Sequence, residues 1–204
     1  DLHQEVNQDA RDSAFVVTTQ VNYCAAAYAT VPEDHQDAAA LTVLGAVLRN
    51  NFLHTELREK GGAYGGGAGH DSTNGIFRFY SYRDPGLAGT YETFERAISW
   101  AQDSPFNDAM IEEVVLGVIG SIDAPGSPAG EVRQAYHHSL FGRTAAYREK
   151  RRAAFLDVRE ADLHRVARTY LAGKPARALV TSESRLGEID NEFDTIRVSN
   201  KQEQ

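Results

Sequence analysis

The spacing of apolar residues predicts that strands come first along the chain and helices later. Valine and aromatic residues partly alternate with polar ones over residues 15–31, "FVVTTQVNYCAAAYATV", which predicts one long strand. Over residues 36–58 the apolar period becomes helical, with Asp34 as the expected N-cap and Gly61 as the expected left-handed end. The apolar stripe of this helix follows i, i+3, i+4 and i+7 spacing: Leu41, Leu44, Val47, Leu48 and Phe52.

A hairpin and a set of helices are predicted after this first helix. Strands at about 62–70 and 76–83 are joined by the polar loop 71–75. Helices follow near 88–102, 107–122, 129–141, 145–157 and 160–172, with Asn107 as a cap, and a last strand returns at 176–182. This order is typical of an α+β domain, an antiparallel sheet with helices packed on one face. We expect a single domain over 1–204, with an ordered core at about 13–186 and a polar tail at 187–204.

The hairpin loop sets which residues of its strands share a face. A five-residue loop pairs His70 with Ile76 and Tyr64 with Tyr82, whereas a two-residue Asn74-Gly75 turn would shift that parity. With the longer loop, the face away from the helices is polar and aromatic with a gap in its middle, as a bound extended peptide would use. Its predicted members are Tyr64, Gly66, Ala68, His70, Arg78, Tyr80 and Tyr82.

Charge and composition narrow the possible partners and compartments. The net charge of −8 argues against nucleic acid, and no apolar run is long enough to suggest a membrane span. Residues 143–177 hold ten Lys and Arg against four acids, which we interpret as a solvated helix surface. The single cysteine, Cys24, is expected to be a buried free thiol in a reducing compartment. We therefore predict a cytoplasmic location, with the mitochondrial matrix or another organelle interior as the alternative.

Several kinds of chemistry are disfavoured by the motifs. The glycines do not fit a dinucleotide fingerprint, and neither a phosphate-loop lysine nor an HExxH or inverted HxxEH segment is present. The seven histidines are scattered, so we expect no metal site in this chain. Cys24 has no histidine nearby in sequence and is a poor candidate nucleophile. The N-terminus lacks both Met and a signal peptide, which suggests a piece of a longer protein.

Three segments carry a resemblance to a known family. "TTQVNY" at 18–23, "LREKGGAYGGG" at 57–67 and "GIFRFYSYRDP" at 75–85 resemble the last domain of the presequence protease branch of the pitrilysin/insulinase-type zinc metallopeptidases. "GVIGSID" at 117–123 adds weaker support. In that family four similar α+β domains enclose a chamber, and the zinc site belongs to the first domain. The resemblance therefore implies zinc in the intact enzyme, held by a domain absent from this chain.

The resemblance also assigns roles to residues of this chain. It implies that Arg58 and Tyr64 contact the peptide and stabilise the negative charge that grows on a carbonyl oxygen during attack by water. Gly65, Gly66 and Gly67 would let the peptide backbone approach closely. The partners implied are a zinc-bearing N-terminal half, in the same polypeptide or a separate subunit, and short unstructured peptides, basic ones by the overall charge. This chain alone is expected to be inactive.

Other interpretations of the same residues remain open. Arg58 also suits the negative end of a helix, and Tyr64 suits a strand. The chain could be a catalytically inert scaffold of the same fold, which would not need both residues. A small-anion module is disfavoured, because the glycines follow a helix end and do not precede a helix start.

Overall fold

The computed structural model describes residues 11–124, 126–189 and 193–198. The strands among them form one six-stranded mixed sheet. The strands are β1 (Ser13–Val16), β2 (Tyr23–Ala29), β3 (Gly65–Asp71), β4 (Ile76–Tyr82), β5 (Ala176–Thr181) and β6 (Asp194–Arg197). They lie in the order β3-β4-β2-β5-β1-β6. Strand β1 runs parallel to β5 and β6, and the other pairs are antiparallel. The predicted α+β class is confirmed, although the sheet is mixed and not wholly antiparallel.

The helices of the described residues follow the predicted order. They are α1 (Ala38–Leu48), α2 (Ala88–Asp103), α3 (Asp108–Asp123), α4 (Pro128–Leu140), α5 (Ala145–Leu156) and α6 (Glu160–Tyr170). A π-helical segment, Arg49–Lys60, continues directly from α1, and a 3₁₀ turn, Glu183–Glu188, follows β5. The ends of α2 to α6 lie within two residues of the predicted bounds. The Asn107 side chain accepts a hydrogen bond from the Met110 N–H at 2.7 Å, which confirms the predicted cap.

The predicted strand over 15–31 is wrong, because the chain turns back within it. Strands β1 and β2 both pair with β5, in opposite directions. Between them the Thr19 hydroxyl donates to the Val21 carbonyl at 2.9 Å and accepts from the Val21 N–H at 3.2 Å. A threonine that satisfies neighbouring backbone in this way competes with strand pairing. The alternation of apolar residues does not reveal such a turn.

The predicted helix over 36–58 is correct in place but not in its period. Helix α1 begins at Ala38 with Asp37 as its N-cap, so Asp34 is not the cap. Beyond Leu48 the buried leucines lie five and four residues apart, at Leu53 and Leu57, as the wider π-helical turn requires. The left-handed residue at the end of the helix is Gly62, at φ 79°, and not the predicted Gly61, whose φ is −82°.

The core lies between one face of the sheet and the helices. Helix α1, the π-helical segment and α2 contact this face, α6 packs against α1 and α2, and α3 and α5 pack against α1. The largest fully buried side chains include Phe77 and Phe79 of β4 and Phe94 of α2. Strand β6 falls within the predicted polar tail, and its pairing with β1 extends the sheet beyond residue 186. No helix in the described part of the chain is both long and apolar enough to cross a bilayer.

Candidate functional site

The sheet face that points away from the helices is here called the open face. Along β4 the burial alternates, so Ile76, Arg78, Tyr80 and Tyr82 project onto the open face while the residues between them enter the core. The partners of these residues on both neighbouring strands are mostly glycine or alanine. The long side chains of β4 therefore stand above a surface that is largely bare backbone and methyl groups.

The predicted hairpin register is wrong by one residue. Asp71, and not His70, pairs with Ile76. Its carboxylate accepts hydrogen bonds from the Thr73 and Asn74 N–H groups at 3.1 and 3.3 Å, which shortens the loop to residues 72–75. Since one residue of shift exchanges the two faces of a strand, the predicted face membership of β3 is reversed.

The reversal changes which glycines are exposed to the open face. Gly65, Gly67 and Gly69 lie there, paired with Tyr82, Tyr80 and Arg78. Gly66, Ala68 and His70 point instead toward the helices. His70 is consequently not an open-face residue: its Nε2 lies 3.0 Å from the Val31 carbonyl, and its Nδ1 lies 3.4 Å from the Thr42 hydroxyl.

Arg58 lies near the end of the π-helical segment with its side chain exposed. Its guanidinium contacts His54 Nε2 at 3.5 Å and makes no ion pair with a carboxylate of the described residues. Its carbonyl accepts the Gly62 N–H at 3.2 Å, in the turn that leads to Tyr64. The six-residue connection between Arg58 and Tyr64 is therefore a tight turn, closed by its own backbone.

Tyr64 immediately precedes β3 and is 68% exposed. Its ring lies edge-to-face against Tyr82, at 5.8 Å between centroids, and the Arg83 guanidinium lies over it at 5.8 Å. Its N–H donates to the Arg83 carbonyl at 3.3 Å. Its hydroxyl has no hydrogen-bond partner within the described residues. The ring is thus positioned by neighbours while its hydroxyl forms no hydrogen bond within the described residues.

A buried polar network fixes the chain just after β4. Asn22 and Asp84 exchange backbone hydrogen bonds at 2.8 and 2.9 Å, and the Asn22 side chain accepts from the Thr181 hydroxyl at 2.7 Å. All three side chains are almost fully buried. Between this network and β4 stands Arg83, in the left-handed region at φ 49°, which is uncommon for a residue other than glycine. The network therefore fixes Arg83, whose guanidinium lies over the Tyr64 ring and whose carbonyl accepts the Tyr64 N–H.

The π-helical period places Arg49 on the same side as Arg58. A turn of slightly more than four residues aligns Arg49, His54 and Arg58, whereas nine residues of α-helix would place the two arginines on opposite sides. The Arg49 side chain passes over Gly67, where an added Cβ would meet Arg49 Cγ at 2.9 Å. This segment therefore presents both arginines on one side, and Arg49 reaches β3.

The three glycines after Tyr64 have different surroundings. A Cβ at Gly65 would meet nothing within 4 Å, so its backbone is accessible. A Cβ at Gly66 would meet Leu57 Cδ1 at 2.5 Å and the Tyr80 carbonyl at 3.0 Å. Packing of the π-helical segment thus explains why residue 66 has no side chain, while the open space at Gly65 leaves room for a ligand.

The sequence matches a known protein family over most of its length. Residues 12–180 match the family described as "PreP C-terminal domain". The chain belongs to the PreP C-terminal domain family. It is 43% identical over 157 residues to the mitochondrial presequence protease of Yarrowia lipolytica and 38% identical over 174 residues to that of Xenopus tropicalis. These matches cover 77% and 84% of this chain but only 16% and 17% of the relatives.

A solved structure supports the same fold. Pitrilysin matches with a TM-score of 0.62 at 15% identity, over 93% of this chain and 22% of that one. At this identity the likeness concerns the fold alone. The resemblance to the pitrilysin-type peptidase domains is thus confirmed both by sequence family and by architecture.

The described residues of this PreP domain do not fit a zinc site. No group of three or more His, Cys, Asp or Glu among them is placed to hold a metal. Cys24 is buried, as predicted, and burial raises the pKa of its thiol to about 12, so the nucleophilic thiolate is scarce at neutral pH. Part of the positive charge of the stretch 143–177 is neutralised by ion pairs within the fold, since Arg143 and Arg151 both bind Glu33.

Two residues beside the predicted site residues carry no recognisable signal of their own in the sequence. Arg49 lies nine residues before Arg58, which an α-helical period places on the wrong side. The five-residue step from Leu48 to Leu53 was the available signal of a wider turn. Arg83 stood inside a recognised motif of this PreP domain, but only the structure reveals its contacts with Tyr64.

Proposed function

We propose that this PreP domain is the substrate-facing, non-zinc part of a zinc metalloendopeptidase that degrades short unstructured peptides. One observation carries the proposal: Tyr64 holds its hydroxyl unpaired and exposed at the edge of the open face, one turn of chain from the exposed cation of Arg58. A residue that only stabilised the strand would gain more by burying its ring. Two accessible donors beside bare backbone suit a peptide ligand.

The proposed chemistry is donation to a peptide oxygen. The Arg58 guanidinium and the Tyr64 hydroxyl would each donate a hydrogen bond to a carbonyl of the bound peptide, most strongly when that oxygen becomes negative. Loss of one such donor typically costs about 3 kcal/mol in the transition state, or roughly a hundredfold in rate. The hydrolytic water and the metal belong in this proposal to the zinc-bearing half, outside this chain.

The backbone after Tyr64 has a supporting role in the proposal. In the proposal the extended peptide lies over the backbone of Gly65, Gly66 and Gly67, closest at Gly65 because nothing occupies the space above it, whereas the Arg49 and Tyr80 side chains cover Gly67. Gly66 contributes by allowing Leu57 to pack beneath the strand. The relatives are named as mitochondrial proteins, which favours an organelle interior over the cytoplasm as the site of action.

Turnover in the complete peptidase that contains this domain tests the proposal. Arg58→Ala and Tyr64→Phe should each lower kcat/KM by about a hundredfold, with unchanged folding and zinc content. Arg133→Ala and Tyr136→Phe are matched controls, because both residues are exposed on α4, which lines a cavity together with α3 and α5. Wild-type turnover in both site variants would refute the proposal and favour the inert scaffold.

A further inference from the structure

The side chains of Arg49 and Tyr80 meet over one glycine of the open face, Gly67. A Cβ at Gly67 would meet Arg49 Cγ at 2.9 Å and the Tyr80 hydroxyl oxygen at 3.4 Å, so both side chains lie over the same glycine. Tyr80 is 39% exposed, and Arg49 is exposed as well. The pair is therefore accessible from solvent, two residues along β3 from the backbone of Gly65.

The surroundings of this pair are positively charged. Arg49, Arg78 and Arg83 form no ion pair with a carboxylate of the residues that the structure describes. On the helical side, by contrast, arginines are commonly paired, as Arg165 is with Asp37 at 2.8 Å.

The nearest acid on the open face does not neutralise these arginines. Asp71 lies at the far end of β3, beside Arg78 and Ile76 in the sheet. Hydrogen bonds from Asn74 and Thr73, with a smaller contribution from the Arg78 charge, lower the pKa of Asp71. Its oxygens are occupied by the hairpin loop. The donors of Arg49 are left available, apart from one bond of 3.2 Å from its Nε to the Asn50 side chain.

We propose that Arg49 and Tyr80 form a subsite that binds a carboxylate of the peptide, from an acidic side chain or from the C-terminus. This inference rests on the proposed function and adds a substrate class to it. A guanidinium presents two parallel N–H donors that match a carboxylate, and a phenol hydroxyl supplies a third donor. The overall charge of −8 favoured basic peptides, but the local charge at this face has the opposite sign.

The subsite is distinct from Arg58 and Tyr64 in what it recognises. A peptide carbonyl occurs at every residue of a substrate, so a donor aimed at it gives no selectivity among sequences. A carboxylate occurs only at particular side chains and at the chain end. Arg49 and Tyr80 would therefore set which peptides bind and in which position they lie.

An NMR titration of the 204-residue chain tests the subsite. Four versions of one eight-residue peptide serve as probes, with a C-terminal carboxylate or amide combined with one internal Asp or Asn. Shifts of the Gly67 N–H and the Arg49 Nε–H report binding at the pair, up to millimolar peptide at low salt. Wild type should bind at least one carboxylate version about fivefold more tightly than the doubly neutral peptide.

Variants assign the effect to the pair. Arg49→Gln should weaken binding of the carboxylate peptide to the level of the neutral peptide and leave binding of the neutral peptide unchanged. Tyr80→Phe should weaken binding of the carboxylate peptide by a smaller factor. Arg133→Gln, an exposed arginine on α4, should change nothing. A preference for the C-terminal carboxylate alone identifies the chain end as the ligand, and a preference for Asp alone identifies the side chain; either supports the subsite.

Three outcomes would overturn it. Equal binding of all four peptides to the wild type, equal loss of all four in Arg49→Gln, or no shift at Gly67 with any peptide would each exclude a carboxylate site. Such a failure would not bear on the proposed function, which is tested separately by the turnover of Arg58→Ala and Tyr64→Phe. Conversely, normal turnover in those two variants together with an intact carboxylate preference would refute the proposed function and leave an anion site on the open face.

Discussion

At the scale of single residues, contacts invisible in the sequence decide what each side chain does. His70 was predicted on the open face, and a one-residue change in register places it against the helices. Its Nε2–H donates to the Val31 carbonyl at 3.0 Å. Tyr64, predicted from its motif, is exposed as the proposal requires, but its orientation depends on Arg83 and Tyr82, which no periodicity identifies.

The half-buried position of His70 predicts a pH dependence of stability. Burial lowers the pKa of His70, so the unfolded chain binds its proton more readily than the folded one. The stability linked to neutral His70 should be complete above about pH 6.5 and should be lost as the pH falls below that value. At pH 8, His70→Gln should unfold about 1 kcal/mol more easily in urea, because its hydrogen bond to Val31 is lost.

The difference between wild type and His70→Gln should shrink from pH 8 to pH 5. His137→Gln, at an exposed position on α4, is the matched control for loss of an exposed imidazole. A difference that stayed constant or grew toward pH 5 would mean that His70 is protonated in the folded protein.

At the scale of elements, periodicity located α2 to α6 well but could not resolve the junctions. Each of these helices carries its apolar residues at ordinary α-helical spacing, and Asn107 supplied a recognisable cap. The π-helical segment and the turn at Thr19 depend on which backbone groups pair, and neither choice alters composition. The sequence therefore located Arg58 but placed its helical neighbours on the wrong sides.

Close packing of α1 against β3 predicts a sensitive glycine. A Cβ at Gly45 would lie 2.7 Å from Gly69 Cα, and backbone cannot move aside as a side chain can. Gly45→Ala should therefore destabilise the domain by about 1–3 kcal/mol, despite the higher helix propensity of alanine. The free energy of unfolding in urea measures this directly.

Gly120 provides the matched control for Gly45. It is exposed within α3, and a Cβ there would meet nothing within 4 Å. Gly120→Ala should stabilise the domain by about 0.5–1 kcal/mol through helix propensity alone. Equal effects of the two substitutions would contradict the close approach of α1 to β3.

At the scale of the whole molecule, the two sides of the sheet have different charge and chemistry. The helical side combines acids with arginines in ion pairs, as between Glu33 and Arg151. The open face combines exposed tyrosines with arginines that have no acidic partner among the described residues. The net charge of −8 conceals this division, so the sequence predicted the family and two site residues but not the polarity of the surface around them.

The central claim is that the open face, and not the helical side, meets the peptide. It is tested most directly by a substrate peptide that carries a photo-crosslinker, bound to the complete peptidase while a chelator blocks turnover. Mass spectrometry should locate the crosslinks within this domain at residues 64–67 and 78–82, and an excess of unlabelled peptide should abolish them. Crosslinks confined to the outer helices, at residues 108–156, would contradict the account.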